Sequence, residues 1–173
     1  ISGLSRNYPD TIRPALQIVG TEPGVKKIAG MYIMFTKRGP LFLADTTVNF
    51  NPTAEELAEI TLLVAKEVKQ FNIKPRIAML SYSNFGSSDS PEANLVSKAR
   101  EIIKQKDPSL ICDGEVQGIL AFNKEILKEN YPFTELLNGE VNILIFPNLS
   151  AGNIAYNLLQ EVGGTDSIGP ILL

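Results

Sequence analysis

Apolar positions along this chain fall into two rhythms, short unbroken runs and longer stretches spaced by threes and fours. Ala29–Thr36, with Met31, Tyr32, Ile33, Met34 and Phe35, is an apolar β-prone run, and Leu41–Ala44 is a second. Lys37-Arg38-Gly39-Pro40 makes a turn between them, so the two strands are expected to form an antiparallel hairpin. Leu57, Ile60, Val64, Val68 and Phe71 then mark one face of a helix that Thr53 and Glu56 open as a capping box. Ile77–Leu80 reads as a buried strand. A helix over Pro91–Lys106 follows, packed through Ala93, Val96, Ala99, Ile102 and Ile103. Ser90 is its N-cap, Pro91 its first residue, and Glu92 an acid in its first turn. Leu110–Cys112 predicts a short strand that ends in a sharp polar turn, Asp113-Gly114-Glu115. Ala121–Asn130 predicts a third helix, and Val141–Phe146 is the clearest core strand. Ser150 is placed to cap a helix over Ala151–Glu161, and Ile168–Leu173 reads as a last strand. Upstream, Pro9–Val19 has helical spacing through Ile12, Leu16 and Val19, and Gly20–Gly24 marks a boundary.

After the hairpin, strands and helices alternate. That order predicts an α/β fold: a mixed, mostly parallel sheet between helices, with an N-terminal antiparallel hairpin. Three polar turns sit at the C-terminal ends of predicted strands, at Ser81–Ser90, Asp113–Gln117 and Pro147–Asn153. In such sheets ligands collect along that edge. The first loop is the richest of the three, with five serines before a helix start, where free N–H groups and the helix dipole favour an anion. The same residues are also good turn chemistry, so the loop alone leaves both readings open. Convergence of the three turns favours a site. Its candidate anion- or ligand-binding residues are Ser81, Ser83, Asn84, Phe85, Gly86, Ser87, Ser88, Ser90, Asp113, Glu115, Asn148 and Asn153. The loop's donors are expected to face the cleft and not the core. Asp89 would repel an anion, so the loop is expected to be one wall of a site. Glu55, Glu56 and Glu59 read as a dipole-compatible helix start, not as metal ligands.

Composition narrows the chemistry. With 173 residues, the chain is one domain, or one domain with fragments of another. A net charge of −3 provides no basic footprint for nucleic acid. No apolar run reaches the length of a membrane span, and the first residues do not read as a signal peptide. The single cysteine, Cys112, rules out an internal disulfide and fits a reducing, cytoplasmic setting. The chain has no histidine, which removes His metal ligands, Ser-His-Asp triads and His general bases together. No G-x-G-x-x-G fingerprint occurs. A start without Met and a strand-like end at Gly169-Pro170-Ile171-Leu172-Leu173 suggest a piece of something larger.

A family resemblance runs nearly the length of the chain. It is carried by Ser2-Gly3, Thr11-Ile12-Arg13-Pro14-Ala15-Leu16-Gln17-Ile18, Ala44-Asp45 with Val48-Asn49, and Pro52–Ala58. Ser81-Tyr82-Ser83 with Gly86-Ser87, Asp113-Gly114-Glu115, Phe146-Pro147-Asn148 with Ala151–Ile154, and Ile168–Leu172 continue it in order. Together these resemble the phosphate acetyl/butyryltransferase family. The resemblance implies a two-domain α/β architecture similar to the isocitrate/isopropylmalate dehydrogenase fold, with the active site between domains. Residues 1–24 would be a remnant of the first domain, 25–169 the second, and 170–173 the start of the return to the first.

The resemblance also implies a division. True phosphotransacetylases usually carry Thr-Lys where this chain has Asn84-Phe85, and many relatives carry Asp-Ala at Ile119-Leu120. The family's Ser-Arg-…-Asp catalytic segment follows the Gly-Pro-Ile-Leu strand and lies beyond this chain. Ser81–Ser87 is more similar to the C-terminal domain of bacterial NADP-dependent malic enzymes, a regulatory domain responsive to acetyl-CoA. On that reading no catalytic or metal-binding residue, and no cofactor, is expected in this fragment. Acetyl-CoA would be an effector, with NADP and a divalent metal in the catalytic part that oxidises malate. Expected partners are the protein's own remaining domains, a CoA ester or phosphate, and a second copy of the chain, with no nucleic acid or membrane. The expected homo-oligomer rests on the helix faces at 57–71 and 93–103, which look more apolar than one side of a sheet needs. Two other readings stay open: part of an active phosphate acetyltransferase, and a pure oligomerisation domain.

Overall fold

The alternating pattern is realised in a computed structural model that describes residues 28–173 and, before them, Pro14, Gln17 and Ile18. Those three are helical; the rest of the segment predicted over 9–19, and the boundary at 20–24, lie outside the described residues. β1 (Gly30–Thr36) and β2 (Gly39–Ala44) form the antiparallel hairpin, in register from Met31 opposite Ala44 to Thr36 opposite Gly39. Then come α1 (Ala54–Gln70), β3 (Arg76–Leu80), α2 (Pro91–Lys106), β4 (Ile111–Val116), α3 (Gly118–Ala121) and α4 (Lys124–Asn130). A 3-10 turn (Glu135–Leu137), β5 (Ile143–Ile145), α5 (Leu149–Glu161) and β6 (Asp166–Leu172) complete the order.

The six strands make one mixed sheet in the order β4-β3-β5-β2-β1-β6. β4, β3, β5 and β2 are parallel, and β1 runs antiparallel to both β2 and β6. Strand alternation divides the core into two layers. Phe42, Ala44, Ile77, Met79, Ile143 and Ile145 face α1 and α2, while Leu41, Leu43, Ala78 and Leu144 face α3, α4 and part of α5. Each Leu, Ile or Val buried in these layers contributes about 1.5–3 kcal/mol. Leu57, Ile60, Val64 and Val68 of α1 and Val96, Ala99 and Ile103 of α2 are all buried within the chain. Of the apolar positions expected on those two faces, Ile102 is partly buried and Phe71 stays 45% exposed. Among the described residues, no helix is long and apolar enough to cross a membrane.

Two of the three predicted caps are present. Thr53 and Glu56 form the reciprocal box at α1, and the Ser90 hydroxyl accepts from Ala93 N at α2. Elsewhere the structure corrects the sequence reading. Asp113-Gly114-Glu115 is not a turn but continues β4, because each acid finds internal donors inside the fold. The helix predicted over 121–130 is two helices, since Asn123 caps a fresh start by accepting from Ile126 N. α5 begins earlier than Ser150 because Asn148 is its N-cap, accepting from Ala151 N at 2.9 Å. β5 is shorter than Val141–Phe146, spanning Ile143–Ile145; at Asn142 the side chain takes one partner, its Oδ1 accepting from Arg76 N at 2.8 Å, while its backbone still donates to the Arg76 carbonyl and accepts from Phe42 N.

Candidate functional site

The loops after β4, β3, β5 and β2 stand side by side along the C-terminal edge of the parallel strands. The first pair is knitted together by one carboxylate. Glu115 is 1% exposed, and its Oε1 accepts from Ser83 Oγ at 2.9 Å and from Gly86 N at 2.6 Å. Its Oε2 accepts from Ser97 Oγ of α2 at 2.6 Å, and its carbonyl accepts from Phe85 N at 2.8 Å. Burial alone would raise this carboxyl; the hydrogen bonds from Ser97, Gly86 and Ser83 outweigh it and hold its pKa below the ordinary 4.5. The serine loop is thus an anion cradle, and the anion in it is the chain's own. Ser83, expected to face a cleft, is 1% exposed and turned inward for this reason.

The rest of the loop is tied to the same frame. Ser83 Oγ lies 3.0 Å from Ser87 Oγ and accepts from Ser88 N at 3.0 Å. Ser81 Oγ accepts from Ser83 N at 3.2 Å. Asn84 accepts from Gln117 N at 2.8 Å and donates through its backbone to Ser87 Oγ at 2.9 Å. Ser90 caps α2 and also receives the Tyr82 hydroxyl. Asp89 is exposed and accepts from Asn94 Nδ2 at 2.8 Å. Phe85, at φ 48°, is half-buried against Tyr131 and Phe133, with ring centroids at 4.9 and 5.4 Å. Phe133 is 70% exposed, so this aromatic cluster reaches the surface.

Asp113 lies apart from that cradle. It is 2% exposed and accepts from Thr134 Oγ1 at 2.7 Å and Glu135 N at 2.9 Å, with Arg100 Nε 3.2 Å from its other oxygen. Gly114 between the two acids sits at φ +141°, and a Cβ there would strike the Met79 carbonyl of β3. Only glycine lets β4 approach β3 this closely while sending Asp113 and Glu115 to their separate donors.

The second pair of loops holds the open space. A cavity of about 550 Å³ lies between the loop after β2 and the N-terminal turn of α5. Thr46, Thr47, Ser150, Asn153 and Tyr32 line it. The Thr46 and Thr47 hydroxyls are buried without a hydrogen-bond partner among the described residues. Asp45 fixes this loop: 3% exposed, it accepts from Gly30 N at 3.2 Å, Thr47 N at 2.8 Å, Val48 N at 3.1 Å and Asn49 N at 2.9 Å. α5 abuts it at Gly152, where a Cβ would collide with the Asp45 carbonyl. Asn148 caps α5, and Asn153 Nδ2 reaches the Thr46 carbonyl at 3.4 Å.

The twelve candidate residues therefore fall into three groups. The serine-loop residues Ser81–Ser90 gather with Glu115, Asp113 stands alone on the other side of β4, and Asn148 and Asn153 flank the cavity. Sequence reasoning missed Thr46, Thr47, Tyr32, Ser150 and Ser97. The signal for the threonines is the polar run Asp45–Asn49, which a hairpin reading of β2 does not bring to this edge. β2 is also a parallel neighbour of β5, so its exit loop joins the same edge. The cavity offers hydroxyls, amides and backbone groups, a set that binds by hydrogen bonding. Among the described residues, no cluster of His, Cys, Asp or Glu could hold a metal ion.

The phosphate acetyl/butaryl transferase family matches residues 1–173, the whole chain. The chain is 44% identical over 173 residues to an NADP-dependent malic enzyme of Haemophilus influenzae, of which it covers 23%. It is 42% identical over 172 residues to a phosphate acetyltransferase of Bacillus subtilis, of which it covers 53%. A phosphotransacetylase from Streptococcus pyogenes superposes with a TM-score of 0.91 at 41% identity, over 99% of this chain and 52% of that one. The chain thus spans about half the length of the transferases, and a quarter of the malic enzyme, that it matches.

Proposed function

From its place in the phosphate acetyl/butaryl transferase family, to which this chain belongs, we propose that it is the phosphotransacetylase-like regulatory domain of an NADP-dependent malic enzyme. One observation carries the reading. The loops at the candidate edge, residues 45–50, 81–90, 117–120 and 147–154, contain no Lys or Arg. Transfer of an acyl group to or from phosphate concentrates negative charge, which cations and preorganised donors must stabilise. This edge supplies neutral donors only, and its most concentrated set is already given to Glu115. Neutral donors serve binding better than they serve that chemistry.

In this proposal residues 25–169 form the second lobe of the domain, and 1–24 and 170–173 belong to the first. Acetyl-CoA is the effector and meets the edge between the Thr46–Thr47 cavity and the Phe85 ring. NADP, a divalent metal and the malate site belong to the part of the protein outside this chain. The domain also associates with a second copy, in keeping with Ile154 and Leu158 exposed on α5 and Val162 exposed at its C-cap, four residues apart. A single monomer-mass peak by light scattering at high protein concentration would count against that association.

The competing reading is an active phosphate acetyltransferase, favoured by the match to the Bacillus subtilis enzyme. Two assays on the full-length protein separate them. Malate oxidation followed against acetyl-CoA concentration should respond to acetyl-CoA, and Phe85→Ala should move the response about tenfold to higher concentration, the loss of roughly one stacking contact. Acetyl-CoA formation from acetyl phosphate should be absent. Sustained acetyl-CoA formation with no malate oxidation would establish the transferase instead.

A further inference from the structure

The opposite end of the sheet carries a second cavity, of about 530 Å³, at the N-terminal ends of β2, β3 and β5. Its apolar wall comes from Leu41, Ile73, Phe122 and Val141, and Lys37, Arg38 and Arg76 stand round it. None of these three cations makes an ion pair among the described residues, whereas Lys69, Arg100, Lys104 and Lys124 each have a carboxylate partner. Arg38 is held with its guanidinium carbon 5.5 Å from the Phe122 ring centroid. Arg76 donates through Nε to the Asn138 carbonyl at 3.3 Å, and its stem lies against Gly139, where a side chain would collide with it. The two guanidiniums are thus positioned before any ligand arrives, which lowers the ordering cost of binding. Among the described residues, Glu140 is the one acid lining this space; Lys124 pairs with it, and the more distant charges of Arg38 and Arg76 help to hold its carboxyl below the ordinary 4.5.

Three unpaired cations around an apolar cavity of ligand size, in a chain whose net charge is −3, call for a counter-ion with an apolar body. We propose that this cavity binds a small organic anion, its apolar body against Phe122 and Leu41 and its charged group between Lys37, Arg38 and Arg76. The site is separate from the candidate edge: β2 runs the width of the sheet between them, about 20 Å at 3.3 Å per residue. It does not depend on the malic enzyme or transferase reading.

The test uses the full-length protein and 1-anilinonaphthalene-8-sulfonate, an aromatic body with one sulfonate, titrated by fluorescence. Lys37→Ala with Arg38→Ala should raise the half-saturating concentration about tenfold, and added salt should do likewise. Glu140→Gln should lower it several-fold by removing the opposing charge. The uncharged N-phenyl-1-naphthylamine should bind more weakly than the sulfonate and ignore all three substitutions. Inorganic phosphate, a charge without a body, should compete only at much higher concentration. Titrations that superimpose for wild type, the double variant and Glu140→Gln would overturn the site. Competition by phosphate alone as strong as by the dye would make it a plain anion site. Loss of dye binding as the protein doubles in mass would assign the cavity to a second copy.

Discussion

The two ends of the sheet handle charge in opposite ways. At the C-terminal end of the parallel strands and in the strand behind it, Asp45, Asp113 and Glu115 are nearly inaccessible, and each accepts at least three hydrogen bonds from the fold. At the N-terminal end, Lys37 and Arg38 are exposed and Arg76 half-buried, and among the described residues no carboxylate forms an ion pair with any of them. Buried carboxylates that are fully hydrogen-bonded define the shape of loops. The rim guanidiniums are held by a ring face and a backbone carbonyl, and keep their charge for a ligand to meet. A charged residue at the first end is therefore architecture, and at the second it is unspent binding capacity.

The comparison breaks most visibly at Asp45. Asp45→Ala strands the N–H groups of Gly30, Thr47, Val48 and Asn49, and buried unpaired donors cost about 1–3 kcal/mol each before relaxation. A loss of about 3–5 kcal/mol in urea unfolding is expected, enough to leave a domain of ordinary stability marginal. A loss under about 1 kcal/mol would mean that solvent satisfies those groups and the loop is not held from within.

Glu115 comes next, and its signature is a pH dependence. Its folded pKa lies below the ordinary 4.5, so folding favours the ionised form. The stabilisation is therefore complete above that ordinary value and is lost as pH falls through the lower folded value. Glu115→Gln should cost about 1–3 kcal/mol near neutral pH by placing an amide donor among donors. The gap between wild type and variant should close as the pH falls below that ordinary value and through the lower folded one. A gap that stays constant down to acid unfolding would show that the charge of Glu115 contributes nothing. Ser97→Ala, which leaves Oε2 short of one partner, should fall between Glu115→Gln and wild type, by about 1–2 kcal/mol.

These carboxylates also mark where sequence reading stops. The hairpin, α1 and α2 were legible because their signals are local: a polar Lys-Arg-Gly turn between two apolar runs, a capping box three residues apart, a Ser-Pro-Glu helix start. The sheet's mixed character and the edge that gathers its loops were legible from element order. What could not be read was the partner of each polar group. Asp113-Gly114-Glu115 looks like a turn because two acids flank a glycine, and nothing nearby announces Thr134, Ser83 or Ser97 as the donors that let them sit in a strand. The Thr46–Thr47 cavity was missed for a topological reason. β2 pairs antiparallel with its sequence neighbour and parallel with a strand a hundred residues later, and only the first pairing is local. The family motifs reached further than propensity did, since Ala44-Asp45 and Ala151-Gly152-Asn153 stood among the residues that carry the resemblance. They meet where Gly152 lets α5 rest on the Asp45 carbonyl.

The smallest effect is expected at the other end and is the sharpest test of the contrast. Lys37 is exposed and has no carboxylate partner among the described residues, so Lys37→Ala removes no side-chain hydrogen bond or ion pair with them. It removes one of three like charges around the cavity, whose mutual repulsion opposes folding and is screened beyond about 10 Å in 0.1 M salt. The net change should lie within about 0.5 kcal/mol, as for other surface substitutions. Its sign should lean towards stabilisation at low ionic strength and vanish as salt is added. Arg38→Ala adds the loss of its contact with Phe122, worth about 0.5–1 kcal/mol at an exposed site, so it should be slightly destabilising at every salt concentration. Urea unfolding of both variants at low and high salt measures these small differences against Asp45→Ala as the large one. A cost above about 1 kcal/mol for Lys37→Ala would make that lysine structural. The two ends of the sheet would then hold their charges for the same purpose.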